Sequence, residues 1–397
     1  MDWRDGTLES VVGVINAGSS SLKVAIYDGE RSLIAGQVEG FGSAPRVTFS
    51  SPNGEPLKPP HMGEIAHSTP SEVLPLLLPW LKEHLGGRVL TAIGHRVVHG
   101  GIRYIQPERV TLELLIELEK LAPLAPLHQQ HNLAPIRTML RVNPRLPQVV
   151  CFDTAFHHTV PELAHTFALP RALRDAGVRP YGFHGLSFEY VARSLLQKAP
   201  QIAAGRVVIA HLGNGASLCA LENGISIAST MGFSVLDGLP MGTRCGDLDP
   251  GVVLHLLRRE HLAAEVIENL LYRHSGMLGL SELSSDFRDL LASSDQRAQF
   301  AIEVFCYQTV RHIGSLAAAL GGVDGIVFTG GVGENAPSIR AKICHGCRWL
   351  GLELDDEANS GGGPRISADT SKTLAVVIPT DEHLMIARHV RACMGYQ

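Results

Sequence analysis

The chain carries the same short pattern twice, half a chain length apart. In residues 11–29 an apolar run stops at Asn16, small residues follow, and a second apolar run begins. Residues 206–224 repeat this arrangement around Asn214 and its flanking glycines. Apolar runs of strand length on either side of small polar residues predict a strand, a tight turn and a strand. The repeat therefore predicts two similarly folded domains that arose by internal duplication.

Strand and helix patterns alternate along the rest of the chain, which predicts the α/β class. Runs of apolar residues predict strands over residues 148–152 and 324–328. Leucines at helical spacing predict a helix over residues 112–121. Further helices are expected over residues 188–196, 252–272, 301–320 and 382–394, the third of them ended by Gly321 and Gly322. A domain boundary is expected near Asp153.

Composition excludes several classes of protein. The 397 residues are enough for two or three domains, and 45% hydrophobic with 18% charged residues argues against disorder. A net charge of −5 argues against nucleic acid as the main partner. The first ten residues lack the apolar core of a signal peptide, and residues 73–81 are too short for a membrane span. With seven scattered cysteines, we expect a reduced, cytoplasmic chain.

Glycine-rich turns follow several predicted strands. The turn that begins at Asn16 contains Gly18 and three serines and is followed by Lys23. Backbone amides in such a turn can approach phosphate oxygens closely, although an ordinary hairpin turn has the same composition. Residues 211–215 and 330–335 repeat the theme. The second of these also matches GxGxxG/A from Gly331, so a dinucleotide site and an oxidoreductase stay open as an alternative.

Cationic and acidic side chains lie in or beside these turns. Arg96 ends an apolar strand and Arg244 lies in a long glycine-rich loop, where guanidinium groups would suit carboxylate or phosphoryl oxygens. His128 and His184 are candidate donors to a developing phosphoryl charge. Surface ion pairs and structural histidines are the competing explanations. Acids that could hold Mg²⁺, together with Asn16, are Asp153 and Glu382.

Cys344 and Cys347 form a single CxxC. A structural zinc site needs four ligands, and the sequence holds no second pair of this kind. Buried or idle thiols are therefore expected here.

Nine strings in a fixed order resemble the acetate kinase family: NAGSSSLK, GHRVVHGG, FDTAFH, YGFHG, HLGNGASL, STMGF…GLPMGTRCGDLDPG, SSDFRD, TGGVGENAPSIR and PTDEHLMIA. The resemblance implies an α/β fold like that of actin, sugar kinases and heat-shock ATPases, with two ribonuclease-H-like domains and a nucleotide cleft between them. It places the N-terminal domain at residues 1–153 plus 384–397 and the nucleotide-binding domain at residues 154–383.

The resemblance also implies the chemistry. The reaction would be reversible, Mg²⁺-dependent transfer of the γ-phosphoryl group of ATP to acetate, with Mn²⁺ as a possible substitute metal. A homodimer in the cytoplasm is implied. No nucleic acid or membrane partner is expected. Propionate or butyrate is the alternative substrate.

The family's site residues map onto this sequence position by position. Catalytic roles fall on Arg96, His128, Asp153, His184 and Arg244. Metal ligation falls on Asn16 and Glu382, and the acyl pocket on Arg96, Val98, Leu127, Phe183 and Val235. Nucleotide contacts fall on Ser19, Ser21, Lys23, His211, Leu212, Gly213, Asn214, Gly215, Asp286, Phe287, Arg288, Gly331, Val332, Gly333, Glu334 and Asn335. Because a short carboxylate is already ionised at pH 7, Asp153 is expected to organise the arginines or water-bound Mg²⁺ rather than to act as a base.

The sequence departs from the family pattern at a few of these motifs. Leu186 and Phe188 replace a threonine and a histidine, Gln129 and Gln130 follow His128, and Val235 stands where the family has proline. Val98 resembles the acetate enzymes, since propionate enzymes tend to have a smaller residue there. A regulator or chaperone-like ATPase on the same fold would be expected to lack Arg96, Asp153, His184 and Arg244, all of which are present.

Overall fold

The computed structural model describes residues 10–18, 21–41, 45–60, 65, 68–126 and 128–396. The chain divides into two compact units. Unit 1 comprises the described residues of Met1–Ala155 and Asp381–Gln397, and unit 2 comprises Phe156–Thr380. Each unit combines one sheet with helices, so the predicted α/β class is confirmed.

Unit 1 is built on an eight-stranded sheet. Its strands are β1 (Ser10–Ala17), β2 (Ser21–Asp28), β3 (Arg31–Glu39), β4 (Arg46–Ser50), β5 (Pro56–Leu57), β6 (Val89–Val97), β7 (Glu108–Arg109) and β8 (Gln148–Phe152). Its helices are α1 (Pro70–Glu83), α2 (Leu112–Glu119), α3 (Gln129–Val142) and, from the end of the chain, α15 (Glu382–Met394).

Unit 2 is built on a five-stranded sheet. Its strands are β9 (Arg206–His211), β10 (Ser217–Glu222), β11 (Ile225–Ser229), β12 (Gly325–Thr329) and β13 (Leu374–Val377). Its helices are α4 (Arg171–Asp175), α5 (Gly185–Lys198), α6 (Pro200–Ala203), α7 (Pro250–Arg258), α8 (Ala264–Arg273), α9 (Gly276–Ser281), α10 (Phe287–Ala292), α11 (Gln296–Leu320), α12 (Gly330–Asn335), α13 (Pro337–Gly346) and α14 (Asp356–Gly361).

The two sheets share one strand arrangement. In unit 1 five neighbouring strands run β3-β2-β1-β6-β8, and in unit 2 the order is β11-β10-β9-β12-β13. In both, the first three strands are antiparallel neighbours and the last two continue the sheet in parallel. The two hairpins recognised in the sequence occupy the same place in each sheet, β1–β2 and β9–β10. The structure thus confirms two similarly folded domains.

Each sheet buries its apolar strands under helices. In unit 1, Val73, Leu77 and Trp80 of α1 pack with strand residues into one core, and leucines of α2 and α3 cover β6 and β8 on another. In unit 2, α5 and α6 pack against β9, β10 and β12. These cores leave the ends of the central strands, where the turns begin, as the places for functional side chains.

Two predicted elements differ from the structure. The single helix predicted over residues 252–272 is two helices, α7 and α8, because the chain turns between them and His261 adopts a positive φ of 53°. Residues 330–335, predicted as a loop, form the short helix α12. The long helix α11 ends as predicted, with Gly321 in the left-handed conformation that its missing β-carbon permits.

We found no membrane-spanning candidate among the helices of the described ranges, since none combines the required length with sufficient apolar character.

Candidate active site

The centre of the unit 1 site is an ion pair between Arg96 and Asp153. The two residues come from the ends of the parallel neighbours β6 and β8, whose register brings these ends together. Arg96 Nε lies 3.0 Å from both carboxylate oxygens of Asp153, and Nη2 donates to Oδ2 at 2.5 Å. The Asp153 side chain is 1% exposed and that of Arg96 is 24% exposed. One edge of the guanidinium is thus held by Asp153 while part of the side chain stays accessible.

Burial and charge act against each other in this pair. Burial alone would lower the pKa of Arg96, but Asp153 and Glu382 outweigh that effect and the pKa is raised, so Arg96 is permanently cationic. Burial raises the pKa of Asp153, and the Arg96 guanidinium opposes that effect. The pair is therefore a fixed positive group with a buried counter-ion, which suits recognition of an anion.

Asn16 and Glu382 lie around the same guanidinium. Arg96 Nη1 donates to Asn16 Oδ1 at 3.4 Å. Glu382 is the first residue of α15, whose N-cap, Asp381, accepts a hydrogen bond from the backbone of Leu384 at 2.8 Å. The structure thus gathers an amide oxygen and a carboxylate near Arg96.

The β1–β2 turn contributes the remaining residues of this group. Lys23 is exposed and pairs with Asn16 in the strand register, and Ser21 begins β2. The Gly18 backbone donates to the Ser21 carbonyl at 2.8 Å and closes the turn. Ser19, assigned to nucleotide binding, lies outside the described residues.

Asn132 joins two of the strand ends and was not predicted from the sequence. Its side chain accepts from the backbone of Val98 at 2.9 Å and donates to the carbonyl of Ala17 at 2.6 Å. Its own backbone donates to the carbonyl of His128 at 3.0 Å, four residues earlier. Val98 is buried and Leu127 lies outside the described residues. The signal in the sequence was a polar residue on the inner face of α3, which gives no hint of its distant partners.

In unit 2, His184 and Arg244 converge on Gly215. A β-carbon on Gly215 would lie 2.9 Å from Arg244 Nη2 and 3.1 Å from His184 Nε2. His184 caps α5 in the left-handed conformation, with φ 57°. Arg244 Nη1 donates to the carbonyl of Val235 at 2.9 Å. The predicted histidine and arginine therefore lie together against a glycine that leaves room for them.

Two serines and a second histidine support His184. Its Nδ1 lies 2.8 Å from the hydroxyl of Ser217, and its ring stacks on that of His211 at 4.4 Å. His211 Nδ1 in turn lies 2.8 Å from the hydroxyl of Ser187. Neither serine was assigned a role from the sequence, since serines beside strands and in helices carry no distinctive signal.

The two glycine-rich segments of unit 2 lie side by side. The carbonyl of Leu212 accepts from the backbones of Val332 and Gly333 at 2.8 and 3.1 Å. Glu334 folds back so that its Oε1 accepts from the backbone of Gly330 at 2.9 Å. A β-carbon on Gly331 would meet no atom of the described protein within 4 Å. The predicted nucleotide segments 211–215 and 331–335 are thus joined by backbone hydrogen bonds.

The residues of the SSDFRD string are organised locally. Asp286 caps α10 by accepting from the backbone of Arg288 at 2.8 Å, and their side chains form an ion pair at 2.5 Å. The Arg288 side chain is 89% exposed. Phe287 is buried and packs against Phe305 at a centroid distance of 4.7 Å.

Phe183 and Val235, the unit 2 residues predicted for the acyl pocket, are both buried. The carbonyl of Phe183 lies 3.0 Å from Nε2 of His157. Burial lowers the pKa of His157 to about 4, so this histidine is neutral. It is a structural residue that the sequence did not distinguish from the other eighteen histidines.

Three of the departures from the family pattern are buried side chains that pack or hydrogen-bond inside their units, namely Leu186, Phe188 and Gln129. Leu186 and Phe188 are buried on α5, and the Phe188 ring packs edge-on against His157. Gln129 is buried and donates to the carbonyls of His99 and Leu118, whereas Gln130 is exposed.

Burial raises the pKa of both thiols of the CxxC, to about 12 for Cys347. Both are thus protonated. Within the part of the chain that the structure describes, no three His, Cys, Asp or Glu side chains are grouped as a metal site.

Solved structures of known proteins share this fold. The chain aligns with a propionate kinase from Francisella tularensis at a TM-score of 0.88 and 34% identity, covering 96% of this chain and 98% of the other. It aligns with an acetate kinase from Porphyromonas gingivalis at a TM-score of 0.83 and 36% identity, covering 97% and 100%. The repeated sheets are therefore those of the actin-like ATPase fold, the class to which these kinases belong.

The sequence comparisons define the family within that class. The family model described as the acetokinase family matches residues 11–388. An acetate kinase from Rhodopseudomonas palustris is 49% identical over 392 residues, covering 96% of this chain and 98% of that protein. An acetate kinase from Rhizobium meliloti is 48% identical over 388 residues, covering 96% and 98%. The chain belongs to the acetokinase family.

Proposed function

We propose that this protein is an acetate kinase, which transfers the γ-phosphoryl group of ATP to acetate and gives acetyl phosphate and ADP reversibly. The observation that carries the proposal is the convergence of His184 Nε2 and Arg244 on Gly215 within the loop that contacts residues 331–335. Family membership supplies the reaction class, and all the family's catalytic residues are present in this sequence.

Arg96 is proposed to bind the carboxylate of acetate. Its accessible edge offers N–H donors in the planar arrangement that matches two carboxylate oxygens. Asp153 holds the opposite edge of the guanidinium through three hydrogen bonds. Asp153 then acts by orienting Arg96 and not as a base, because acetate is already ionised at neutral pH.

The transfer is proposed to be direct and in line. A carboxylate oxygen of acetate forms the new bond to the γ-phosphorus while the bond from that phosphorus to the bridging oxygen of ADP breaks. The transition state is loose and needs positive charge and positioning more than covalent help. His184 and Arg244 are assigned to donate hydrogen bonds to the transferring group, with His128 as a further active-site histidine.

Mg²⁺ fits the residues around Arg96. Asn16 offers an amide oxygen and Glu382 a carboxylate, which are the hard oxygen ligands that Mg²⁺ takes, and Mn²⁺ accepts the same donors. When bound, the metal would neutralise charge on the nucleotide phosphates. The protein's part is to hold Asn16 through the β1–β2 hairpin and Glu382 through the capped start of α15.

Nucleotide binding is assigned to two sets of residues. In unit 2 these are His211, Leu212, Gly213, Asn214 and Gly215, with Asp286, Phe287, Arg288, Gly331, Val332, Gly333, Glu334 and Asn335. In unit 1 these are Ser19, Ser21 and Lys23. The bare face of Gly331 supports close backbone approach of a ligand.

Propionate is the alternative acceptor. The similarity to a propionate kinase structure favours it, whereas Val98 favours acetate by the family pattern. One methylene in an apolar pocket changes binding by about 1–3 kcal/mol, so overlapping use of the two acids is expected. Val98, Leu127, Phe183 and Val235 are the residues proposed to set this preference.

A homodimer in the cytoplasm is proposed for the quaternary state. The exposed apolar residues of α7 and α8 support it, since Val252, Leu254 and Val266 are 40%, 48% and 50% exposed. Light scattering coupled to gel filtration should give the mass of two chains. A mass of one chain at micromolar concentration would overturn the proposal.

Trapping of the acyl phosphate with hydroxylamine tests the activity. Purified protein with ATP, MgCl₂ and acetate should yield acetohydroxamate. Arg244→Ala should abolish the product, and Arg273→Ala, which alters an exposed arginine of α8, should not. No hydroxamate with acetate, propionate or butyrate would refute the kinase assignment, and a higher kcat/KM for propionate than for acetate would replace acetate as the substrate.

A further inference from the structure

Ser217 occupies a place that the assigned chemistry leaves unexplained. It is the first residue of β10 and is 0% exposed. Its hydroxyl lies 2.8 Å from Nδ1 of His184, on a ring whose other nitrogen, Nε2, faces Gly215 beside Arg244. The buried Ser217 hydroxyl therefore contacts Nδ1 of His184, while Nε2 of the same ring is the nitrogen assigned to the phosphoryl group.

The chemistry of a hydroxyl decides what this contact does. A neutral imidazole has one N–H and one acceptor nitrogen, and the partner of one nitrogen sets the role of the other. A carbonyl or carboxylate behind Nδ1 would only accept, so neutral His184 would carry its hydrogen on Nδ1 and present a bare Nε2. A hydroxyl can also donate. When Ser217 donates to Nδ1, the hydrogen of the neutral ring must lie on Nε2.

The same contact serves both charge states of the ring. If His184 is protonated, both nitrogens donate and Ser217 accepts from Nδ1 by rotating its hydroxyl. In either state Nε2 keeps its hydrogen and can donate toward the space at Gly215. A hydroxyl is thus suited to a histidine that must donate from Nε2 whether it is charged or neutral.

The ring is held in this orientation against a backbone cost. His184 lies in the left-handed region, which strains the backbone of a non-glycine residue and persists when surrounding contacts enforce it. Those contacts include the Ser217 hydrogen bond and the stack on His211, whose Nδ1 is hydrogen-bonded to Ser187. Two serines thus fix two stacked imidazoles.

We propose that Ser217 is a positioning residue that holds His184 with a hydrogen on Nε2, facing Gly215 and Arg244, and that Ser187 supports it through His211. The inference rests on the proposed role of His184 in phosphoryl transfer. Ser217 touches no substrate in this scheme and acts through His184 alone.

Nitrogen NMR of the labelled histidines tests the tautomer directly and independently of activity. The whole protein is labelled at its imidazole nitrogens, and the His184 signals are identified by their loss in His184→Gln. At a pH where the ring is neutral, the wild type should show His184 as the Nε2–H form. Ser217→Ala should show a mixture of tautomers. A wild-type Nδ1–H form, or a variant spectrum unchanged from wild type, would overturn the proposal.

Steady-state kinetics supply the second readout. Ser217→Ala should lower kcat about ten- to a hundredfold, as is common when a group that orients a functional imidazole is lost, with the KM values for ATP and acetate nearly unchanged. Ser217→Thr, which keeps the hydroxyl, should recover part of the activity and the Nε2–H signal. Equal kcat in Ser217→Ala and wild type would reject the positioning role.

Ser194→Ala is the matched control. Ser194 lies on α5, and its hydroxyl donates to the carbonyl of Tyr190 at 2.8 Å. This variant should keep wild-type kcat and tautomer. If the wild-type protein makes no acyl phosphate, the proposed function fails, whereas the NMR result still decides whether Ser217 sets the tautomer of His184.

Discussion

Gly94 of β6 lies directly against Val390 of α15, so close that a β-carbon on Gly94 would be 2.6 Å from Val390 Cγ2. Ile386, one turn earlier on the helix, lies against the same glycine. The helix that begins with Glu382 can therefore pack on the central strands only because residue 94 has no side chain. Arg96 lies two residues after Gly94 on the same strand. The packing of α15 on Gly94 therefore links the position of Glu382 to that of Arg96.

Gly94→Ala should force α15 away from β6. Overpacking of this kind lowers the free energy of unfolding by about 1–3 kcal/mol. Because the helix carries Glu382, its displacement should also weaken Mg²⁺ binding. Thermal unfolding and a Mg²⁺ titration of activity measure the two effects. Gly361→Ala, at a helical glycine with open space around it, is the control. Equal stability of the two variants would contradict the prediction.

Asp153→Asn should leave Arg96 without its counter-ion. Breaking a buried pair costs about 3–5 kcal/mol of stability, and the freed guanidinium should lose its orientation. We expect lower turnover, a higher KM for acetate and a higher Mg²⁺ requirement. Asp28→Asn, at the partly exposed Arg88–Asp28 pair of 3.3 Å, is the control for charge removal. Normal turnover at low Mg²⁺ would show that Asp153 does not organise the site.

Gly331→Ala should weaken nucleotide binding without changing the stability of the fold. Its added methyl meets no atom of the described protein within 4 Å, so the melting temperature should stay at the wild-type value. If the backbone at Gly331 approaches the nucleotide, the KM for ATP should rise about tenfold, since a loss of 1.4 kcal/mol in binding is a factor of ten. An unchanged KM for ATP would move the nucleotide away from this residue.

Val98→Ala should shift the acceptor preference toward propionate. Removing two methyl carbons enlarges an apolar site, and a methylene is worth about 1–3 kcal/mol in such a site. The ratio of kcat/KM for propionate to that for acetate should therefore increase at least tenfold. Competition assays with both acids in one reaction give this ratio directly. A constant ratio would show that Val98 does not line the acyl pocket.

Asp237 should make stability depend on pH. Burial and the neighbouring carboxylate of Asp247 raise the pKa of Asp237 to about 6. His312 Nε2 lies 3.1 Å from Oδ2 of Asp247. An acid whose folded pKa is raised contributes stability that is fully present below its unfolded pKa and is lost as pH rises through the folded value. The nearby thiol of Cys245 has a raised pKa and stays neutral over this range.

Melting temperatures measured from pH 4 to pH 7.5 test this dependence. Asn mimics the protonated form of Asp237, so Asp237→Asn should match wild type near pH 4 and exceed it at pH 7.5. Parallel curves for the two proteins would show that the carboxyl pair does not share a proton.

The sequence predicted the repeated hairpins because their pattern is local: an apolar run, a small polar turn and a second apolar run. The prediction of one helix over residues 252–272 was wrong, because helix-forming residues continue through 259–263 but the backbone turns at His261. The roles proposed for Asp153 and Arg96 come from family motifs. Their hydrogen bonds depend on strand register, which no local pattern specifies.

Asn132 shows why other contacts of the site could not be predicted from the sequence. Its partners, Val98 and Ala17, are 34 and 115 residues away along the chain. Such a bridge exists only after the sheet has brought three strand and helix ends together. The serines behind His184 and His211 belong to the same category, since their importance comes from partners and not from spacing.

The return of the chain to unit 1 has a consequence for biosynthesis. Unit 2 is one continuous stretch, Phe156–Thr380, whereas unit 1 needs α15, which follows it. The apolar surface of β1 and β6 that α15 covers therefore stays exposed on the ribosome until the last helix emerges. Unit 2 needs no segment from outside residues 156–380, but the arginine site receives Glu382 only after unit 2 has been synthesised. The first unit to be synthesised is the last to mature.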